Sequence, residues 1–209
     1  MTLVKICGIT NLEDARIAVE AGADELGFNF YSKSPRYIEP VKARGIIDSL
    51  PENVHKIGVF VNERIERILE IVDIAGLDTI QLHGDEEHSF VSALHRATEK
   101  GIIKAIRVVP DLDLADITGF DSQSILIDSF SKDEYGGSGK RFDWKIAKKV
   151  CAMVESLYLA GGISVDNVNE AIQEVRPYAI DACSSIESSP GKKDREKLQR
   201  LIAAVKANE

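Results

Sequence analysis

Polar and ionisable residues follow short apolar runs of this 209-residue chain, at positions where packing alone does not call for them. They are Cys7, Asn29, His83, Arg107, Asp128 and Asp181. Asp128 is the least expected, because it directly follows the fully apolar run Ile125–Ile127. Taken singly, Cys7 is typical of a small buried side chain, and His83 of a hydrogen-bonded structural histidine. Together, thiol, imidazole and carboxyl groups are the kinds of side chain that donate and accept protons in catalysis.

Glycine and serine pairs late in the chain indicate a phosphate-binding site. Leu159–Ile163 reads Leu-Ala-Gly-Gly-Ile, and Asp181–Ile186 reads Asp-Ala-Cys-Ser-Ser-Ile. Glycine permits close approach of the backbone to an anion, and a short helix offers free N–H groups. We therefore predict that Gly161-Gly162 and Ser184-Ser185 bind phosphate, although adjacent glycines also occur in ordinary turns.

Two further loops carry candidate substrate contacts. Tyr135–Lys140 is too rich in glycine for a helix and lacks the full spacing of a nucleotide P-loop. We interpret this segment, with Gly137 and Gly139, as a loop that covers the substrate; a plain flexible connection is the alternative. Arg36, in Ser-Pro-Arg-Tyr, has the forked donor geometry that suits a carboxylate, although a single loop arginine is more often solvated.

Two periodicities alternate along the chain, and they predict the elements that position these residues. Eight short apolar runs are nearly continuous in Val, Ile, Leu and Phe, as expected of strands buried on both faces. The runs are Leu3–Ile9, Glu25–Phe30, Lys56–Val61, Thr79–His83, Ile102–Val108, Ser124–Asp128, Leu157–Ala160 and Ala179–Ala182. Between them lie amphipathic stretches such as Ile65, Ile68, Leu69 and Val72, with helical spacing.

Strict alternation of strands and helices predicts parallel strands joined by right-handed crossovers. Eight such units favour an α/β fold of the (β/α)8 barrel type, a single domain over residues 1–209. A doubly wound open sheet is the alternative. In such a barrel, reactive groups gather at the carboxyl ends of the strands, and phosphate commonly binds in the loops after the seventh and eighth strands.

Composition excludes several classes of partner. Lys and Arg number 26 against 34 Asp and Glu, and the net charge of −8 argues against nucleic acid or an anionic membrane. The three cysteines, Cys7, Cys151 and Cys183, are odd in number and widely separated, which argues against a disulfide framework or a zinc site and favours a reducing compartment. No apolar run approaches the roughly 18 residues of a membrane span, and no signal peptide is recognisable. We expect a cytoplasmic protein.

Longer motifs extend over nearly the whole chain. They are Val4–Thr10 (Val-Lys-Ile-Cys-Gly-Ile-Thr), Gly27-Phe28, Phe30-Tyr31, Ser34–Arg36, Val59–Asn62, Gln81–Gly84, Ile127–Ser129, Gly136–Gly139, Phe142–Trp144, Leu159–Gly162, Ser188–Gly191 and Lys193-Asp194. Together and in this order, they resemble the phosphoribosylanthranilate isomerase family of tryptophan biosynthesis. The first motif, Ser34–Arg36 and the glycine block with Phe142–Trp144 are highly specific in combination.

The resemblance implies an Amadori rearrangement, in which the N-glycoside of anthranilate and ribose 5-phosphate becomes a 1-amino-1-deoxyribulose phosphate. Carried onto this sequence, it makes Cys7 the general base and Asp128 the general acid, with Arg36 on the anthranilate carboxylate. The other substrate-binding residues that it implies are His83, Gly137, Gly139, Gly161, Gly162, Asp181, Ser184 and Ser185. It implies a small-molecule substrate and neither a metal nor an organic cofactor, and it leaves monomer and homodimer open.

Two details bear on this chemistry. A thiolate is needed at Cys7, and Lys5 lies on the same face of the strand, where it either favours the anion or pairs with Asp181. After the aspartate the family usually reads Val-Ser-Ser-Gly-Val-Glu, whereas this chain has Ser185 in place of the glycine. We expect altered or weaker phosphate contacts there.

Two other functions stay open. One is a metal-dependent sugar-phosphate epimerase on the same barrel, with His83 and Asp128 as ligands. The other is a barrel that binds a phosphorylated ligand without catalysis.

Overall fold

A computed structural model describes residues 1–108, 114–129 and 144–208. Eight parallel strands pair in chain order, and β8 returns to pair with β1, so the sheet is closed. The strands are β1 (Leu3–Cys7), β2 (Glu25–Asn29), β3 (His55–Phe60), β4 (Thr79–Leu82), β5 (Gly101–Val108), β6 (Ser124–Ser129), β7 (Ser156–Leu159) and β8 (Ala179–Ala182). This confirms the (β/α)8 barrel and excludes the open sheet.

Helices connect the strands around the outside. They are α1 (Leu12–Ala21), α2 (Pro40–Ile47), α3 (Ile65–Ala75), α4 (His88–Ala97), α5 (Leu114–Ile117), α6 (Trp144–Cys151), α7 (Val168–Val175) and α8 (Arg195–Lys206). Between β8 and α8 lie a 3-10 turn (Ser184–Ile186) and a small antiparallel hairpin of β9 (Glu187–Ser189) and β10 (Lys192–Lys193). No helix among the described residues is both long enough and apolar enough to cross a bilayer.

The apolar side chains form two clusters, which explains why the strands read as continuous apolar runs. A small cluster fills the barrel and includes Ile57, Ile103, Leu126 and Tyr158. A larger cluster, in which Val4 packs with residues of the helices, lies between sheet and helices. Because side chains alternate along a strand, every second residue points into the barrel. The last inward residue of each strand therefore faces the mouth of the barrel.

Candidate active site

A cavity of about 390 Å³ lies at the carboxyl ends of the strands. The predicted site residues that border it are Cys7, Arg36, His83, Asp128, Gly161, Gly162, Asp181, Ser184 and Ser185. Gly137 and Gly139 lie outside the described residues. Asn29 also borders the cavity, where its amide bonds Ser34 and holds the loop after β2. Arg107 instead pairs with Asp85 beside a separate depression.

The thiol of Cys7 lies near a second thiol, that of Cys183, and each affects the ionisation of the other. The neighbouring Cys183 thiol, together with burial, holds the pKa of Cys7 well above its usual value. The neighbouring Cys7 thiol lowers the pKa of Cys183 to about 7 against the effect of burial, and the nearby charges of Lys193 and Arg36 lower it further. The pair therefore begins to lose its first proton near neutral pH.

Below this pair, Lys5 Nζ donates to Asp181 Oδ1 at 2.9 Å, and Lys5 is completely buried. Of the two roles considered for Lys5, the ion pair with Asp181 is therefore present. Burial acts against the charge, yet Asp181 raises the pKa of Lys5 above its ordinary value. Lys5 also favours the Cys7 thiolate, but its effect on the pKa is smaller than those of the neighbouring Cys183 thiol and burial.

Arg36 reaches the cavity wall across Gly8 and forms a bidentate ion pair with Glu187. Arg36 Nε lies 3.0 Å from Glu187 Oε1, and Nη2 lies 2.8 Å from Oε2. Gly8 is required at this crossing, because its φ is +80° and a Cβ there would lie 2.7 Å from Arg36 Cδ. Glu187 thus fixes the plane of the guanidinium and leaves its Nη1 edge unoccupied by this carboxylate.

The β9–β10 hairpin supplies a buried cation that sequence reasoning missed. Lys193 Nζ lies 2.5 Å from the carbonyl oxygen of Cys7, 3.4 Å from that of Cys183 and 3.0 Å from Glu187 Oε1. Cys183 and Glu187 were missed as well. Closure of the barrel places β8 beside β1, but only the register, with Ile6 opposite Ala182, shows that Cys183 follows beside Cys7.

His83 and Asp128 approach each other across the mouth of the barrel. Gln81 Nε2 lies 2.8 Å from His83 Nδ1, and this hydrogen bond orients the ring. His83 Nε2 in turn lies 3.4 Å from Asp128 Oδ2, and Asp128 is 3% exposed. Within the described parts of the chain, no group of three or more potential metal-ligating side chains is assembled.

The two phosphate-binding candidates follow the neighbouring strands β7 and β8 and border the same cavity. Gly161 and Gly162 both have left-handed φ values, 78° and 71°. Asn167 stabilises this turn by donating from Nδ2 to the carbonyl oxygen of Gly162 at 2.9 Å. Ser185 is not among the described residues with positive φ, so its side chain causes no backbone strain. Its buried Oγ has no hydrogen-bond partner among the residues described.

Comparison with known proteins identifies the family. The family model described as N-(5'phosphoribosyl)anthranilate (PRA) isomerase matches residues 4–204. The chain belongs to this family. The N-(5'-phosphoribosyl)anthranilate isomerase of Geobacter sp. (strain M21) is 46% identical over 207 residues, which cover 99% of this chain and 98% of the relative.

Solved phosphoribosylanthranilate isomerases share the fold. That of Thermotoga maritima is 40% identical, with a TM-score of 0.91, and the match covers 99% of this chain and 100% of the other. A phosphoribosylanthranilate isomerase in complex with reduced 1-(o-carboxyphenylamino)-1-deoxyribulose 5-phosphate is also 40% identical, with a TM-score of 0.87 and the same coverage.

Proposed function

We propose that this chain is an N-(5'-phosphoribosyl)anthranilate isomerase of tryptophan biosynthesis, with Cys7 as general base and Asp128 as general acid. One observation carries the proposal. In a chain that matches the family over residues 4–204, Cys7 and Asp128 border one cavity together with a glycine turn and a serine turn. A proton donor, a proton acceptor and an anion site thus share one small space.

The polar groups around the cavity suit a substrate with an anion at each end. The ligand named in the solved relative carries a carboxyl group and a phosphate. Arg36 would bind the anthranilate carboxylate through its free edge, because a guanidinium forms two parallel hydrogen bonds with such a group. Gly161-Gly162 and Ser184-Ser185 would bind the phosphate, with His83 and Asp181 contacting the sugar between them. Gly137 and Gly139 stay predictions.

The first step is opening of the sugar ring. Asp128 donates a proton to the furanose oxygen while the C1′–O bond breaks, and the anthranilate nitrogen stabilises the resulting cation as an iminium. The acid must be protonated when the substrate binds.

The second step is removal of the C2′ proton, which the adjacent iminium has made acidic. Cys7 acts as the base after its own proton has passed to the Cys183 thiolate, so the shared negative charge moves from one sulfur to the other. Cys7 then takes up the C2′ proton, and the enol that forms becomes the ketone as C1′ gains a proton and the enol hydroxyl loses one. The proton moves only between two neighbouring thiols.

The deciding experiment follows the loss of anthranilate fluorescence as the glycoside is consumed, with and without EDTA. We expect turnover that EDTA leaves unchanged. Turnover lost on chelation would favour the metal-dependent epimerase, and absence of turnover would favour a barrel that only binds a phosphorylated ligand. Location in the cytoplasm and assembly as a monomer or homodimer stay predictions.

A further inference from the structure

Cys7 and Cys183 are lateral neighbours across the seam where the barrel closes. β1 and β8 pair in parallel with Ile6 opposite Ala182, and the next residue on each side is a cysteine. Adjacent strands lie about 4.8 Å apart. A disulfide requires Cα atoms about 4.4–6.8 Å apart, so this register meets the distance that the bond needs.

The two thiols are also near each other. Both cysteines border the cavity, and each thiol acts on the pKa of the other. A Cβ on Gly8 would lie 3.2 Å from Cys183 Sγ, and a Cβ on Gly27 would lie 2.9 Å from Cys7 Sγ, so close neighbours limit the movement of each sulfur. Lys193 Nζ contacts the carbonyl oxygens of both cysteines and holds the two backbones together.

We propose that Cys7 and Cys183 form an oxidisable dithiol, which a hydroperoxide converts to an intramolecular disulfide and a small dithiol reductant restores. The cavity gives a small oxidant access to both sulfurs. Loss of activity on oxidation rests on the proposed role of Cys7 as general base, because a disulfide sulfur cannot accept the C2′ proton.

The reaction proceeds in two balanced steps. The Cys183 thiolate attacks one peroxide oxygen, the O–O bond breaks, and the departing hydroxide takes up a proton to become water, which leaves a sulfenic acid on Cys183. The Cys7 sulfur then attacks the sulfenic sulfur, the S–O bond breaks, and the Cys7 proton leaves with the hydroxide as a second water. Overall, two thiols lose two electrons to one peroxide and form one disulfide and two waters.

The first attack belongs to Cys183 because the thiolate is the nucleophile. The neighbouring Cys7 thiol, together with Lys193 and Arg36, lowers the pKa of Cys183 to about 7, so about half of it is ionised at neutral pH.

Cys151 provides an internal reference. It lies on α6 away from the cavity, its Sγ is 3.6 Å from the carbonyl oxygen of Arg176, and burial raises its pKa.

The test exposes the purified full-length enzyme to hydrogen peroxide and measures free thiols, linked peptides and activity. In the wild type and in Cys151→Ser, we expect a peptide pair joined through Cys7 and Cys183, with the free-thiol count of the wild type falling from three to one. Activity should fall at least about tenfold, and dithiothreitol should restore it. Cys183→Ser is compared with its own untreated control. The linked pair should be absent from this variant, and its inactivation should be at least about tenfold slower, because the attacking thiolate is gone.

Other results would overturn the dithiol. One such result is loss of thiols without the linked peptide pair, and another is covalent dimers on a non-reducing gel instead of that pair. Direct conversion of Cys7 to sulfinic acid, or no loss of thiols at all, would also overturn it. If the linked pair forms while activity is unchanged, the dithiol stands and the role of Cys7 as base fails. The peptide and the activity thus report on the two proposals separately.

Discussion

Arg36 and Glu187 form a bidentate ion pair in the cavity wall, although 151 residues separate them along the chain. The side chain of Glu187 is 4% exposed and that of Arg36 15%, so the pair is largely shielded from water. Lys193 also bonds Glu187 and extends a hydrogen bond to the backbone of Cys7. The proposed carboxylate-binding residue and the proposed base are therefore linked through one buried carboxylate.

Replacing Arg36 with alanine should weaken substrate binding more than turnover. A hydrogen bond between charged groups contributes about 1.5–3 kcal/mol, so KM should rise about 10- to 100-fold while kcat changes less. Steady-state kinetics of Arg36→Ala measure this. Arg67→Ala is a matched control, because Arg67 also pairs with a carboxylate, Glu70, but lies on α3. An unchanged KM in Arg36→Ala would remove Arg36 from the substrate contacts.

Alanine at Cys7 or at Asp128 should abolish most of the turnover without unfolding the barrel. General acids and bases typically contribute about 10²–10⁴-fold, so each variant should lose kcat by that order. Cys151→Ala is the control, since its thiol lies outside the cavity and we expect full activity. Circular dichroism verifies the fold. A loss below roughly tenfold at Cys7 or Asp128 would contradict the assigned role.

The barrel and most of the cavity residues follow from the sequence, because continuous apolar runs alternate with amphipathic helices and end in polar residues. The register between strands does not follow, since strands that are apolar on both faces give no period from which to align them. Cys183 was therefore not recognised as the neighbour of Cys7. Glu187 and Lys193 lie in a hairpin outside the strand–helix alternation. Their local sequence does not indicate that their charged groups contact Arg36 and the backbone of Cys7.

The thiol pair predicts an acid limb in the pH dependence of kcat. The pair gains its negative charge as pH rises through about 7, the pKa of Cys183, so base activity should be present above that pH and lost below it. The charged groups that face the pair are Lys5 on β1, Asp181 on β8, and Arg36, Glu187 and Lys193 around Cys183.

Cys183→Ser isolates this effect. Serine does not ionise in this range, so Cys7 must lose its own proton to the solvent, and the acid limb should move to higher pH. At pH 7 we expect kcat to fall about tenfold or more, with partial recovery at pH 9. Rate profiles from pH 5.5 to 9.5 for the wild type and Cys183→Ser provide the comparison. Superimposable profiles would show that Cys183 does not accept the proton that Cys7 must lose before it acts as the base.

Glu25 should make the fold less stable as pH rises. Its carboxyl is 4% exposed at the opposite end of the barrel, where it accepts a hydrogen bond from Tyr158 Oη at 2.9 Å. Burial raises the pKa of Glu25 from 4.5 to about 7, although Tyr158 and Lys5 act to lower it. The folded protein thus binds this proton more tightly than the unfolded chain. The resulting stabilisation is complete below about pH 4.5 and is lost as pH rises through about 7, a change of about 3 kcal/mol.

Glu25→Gln removes this titration while keeping the shape of the side chain. The free energy of unfolding of the variant should therefore exceed that of the wild type by up to about 3 kcal/mol at pH 8 and differ little at pH 4.5. Urea unfolding at both pH values measures the difference. Glu66→Gln, at an exposed position of α3, should stay within about 0.5 kcal/mol of the wild type at both. A Glu25→Gln protein less stable than the wild type at pH 8 would mean that Glu25 is ionised in the fold and that Lys5 stabilises its charge.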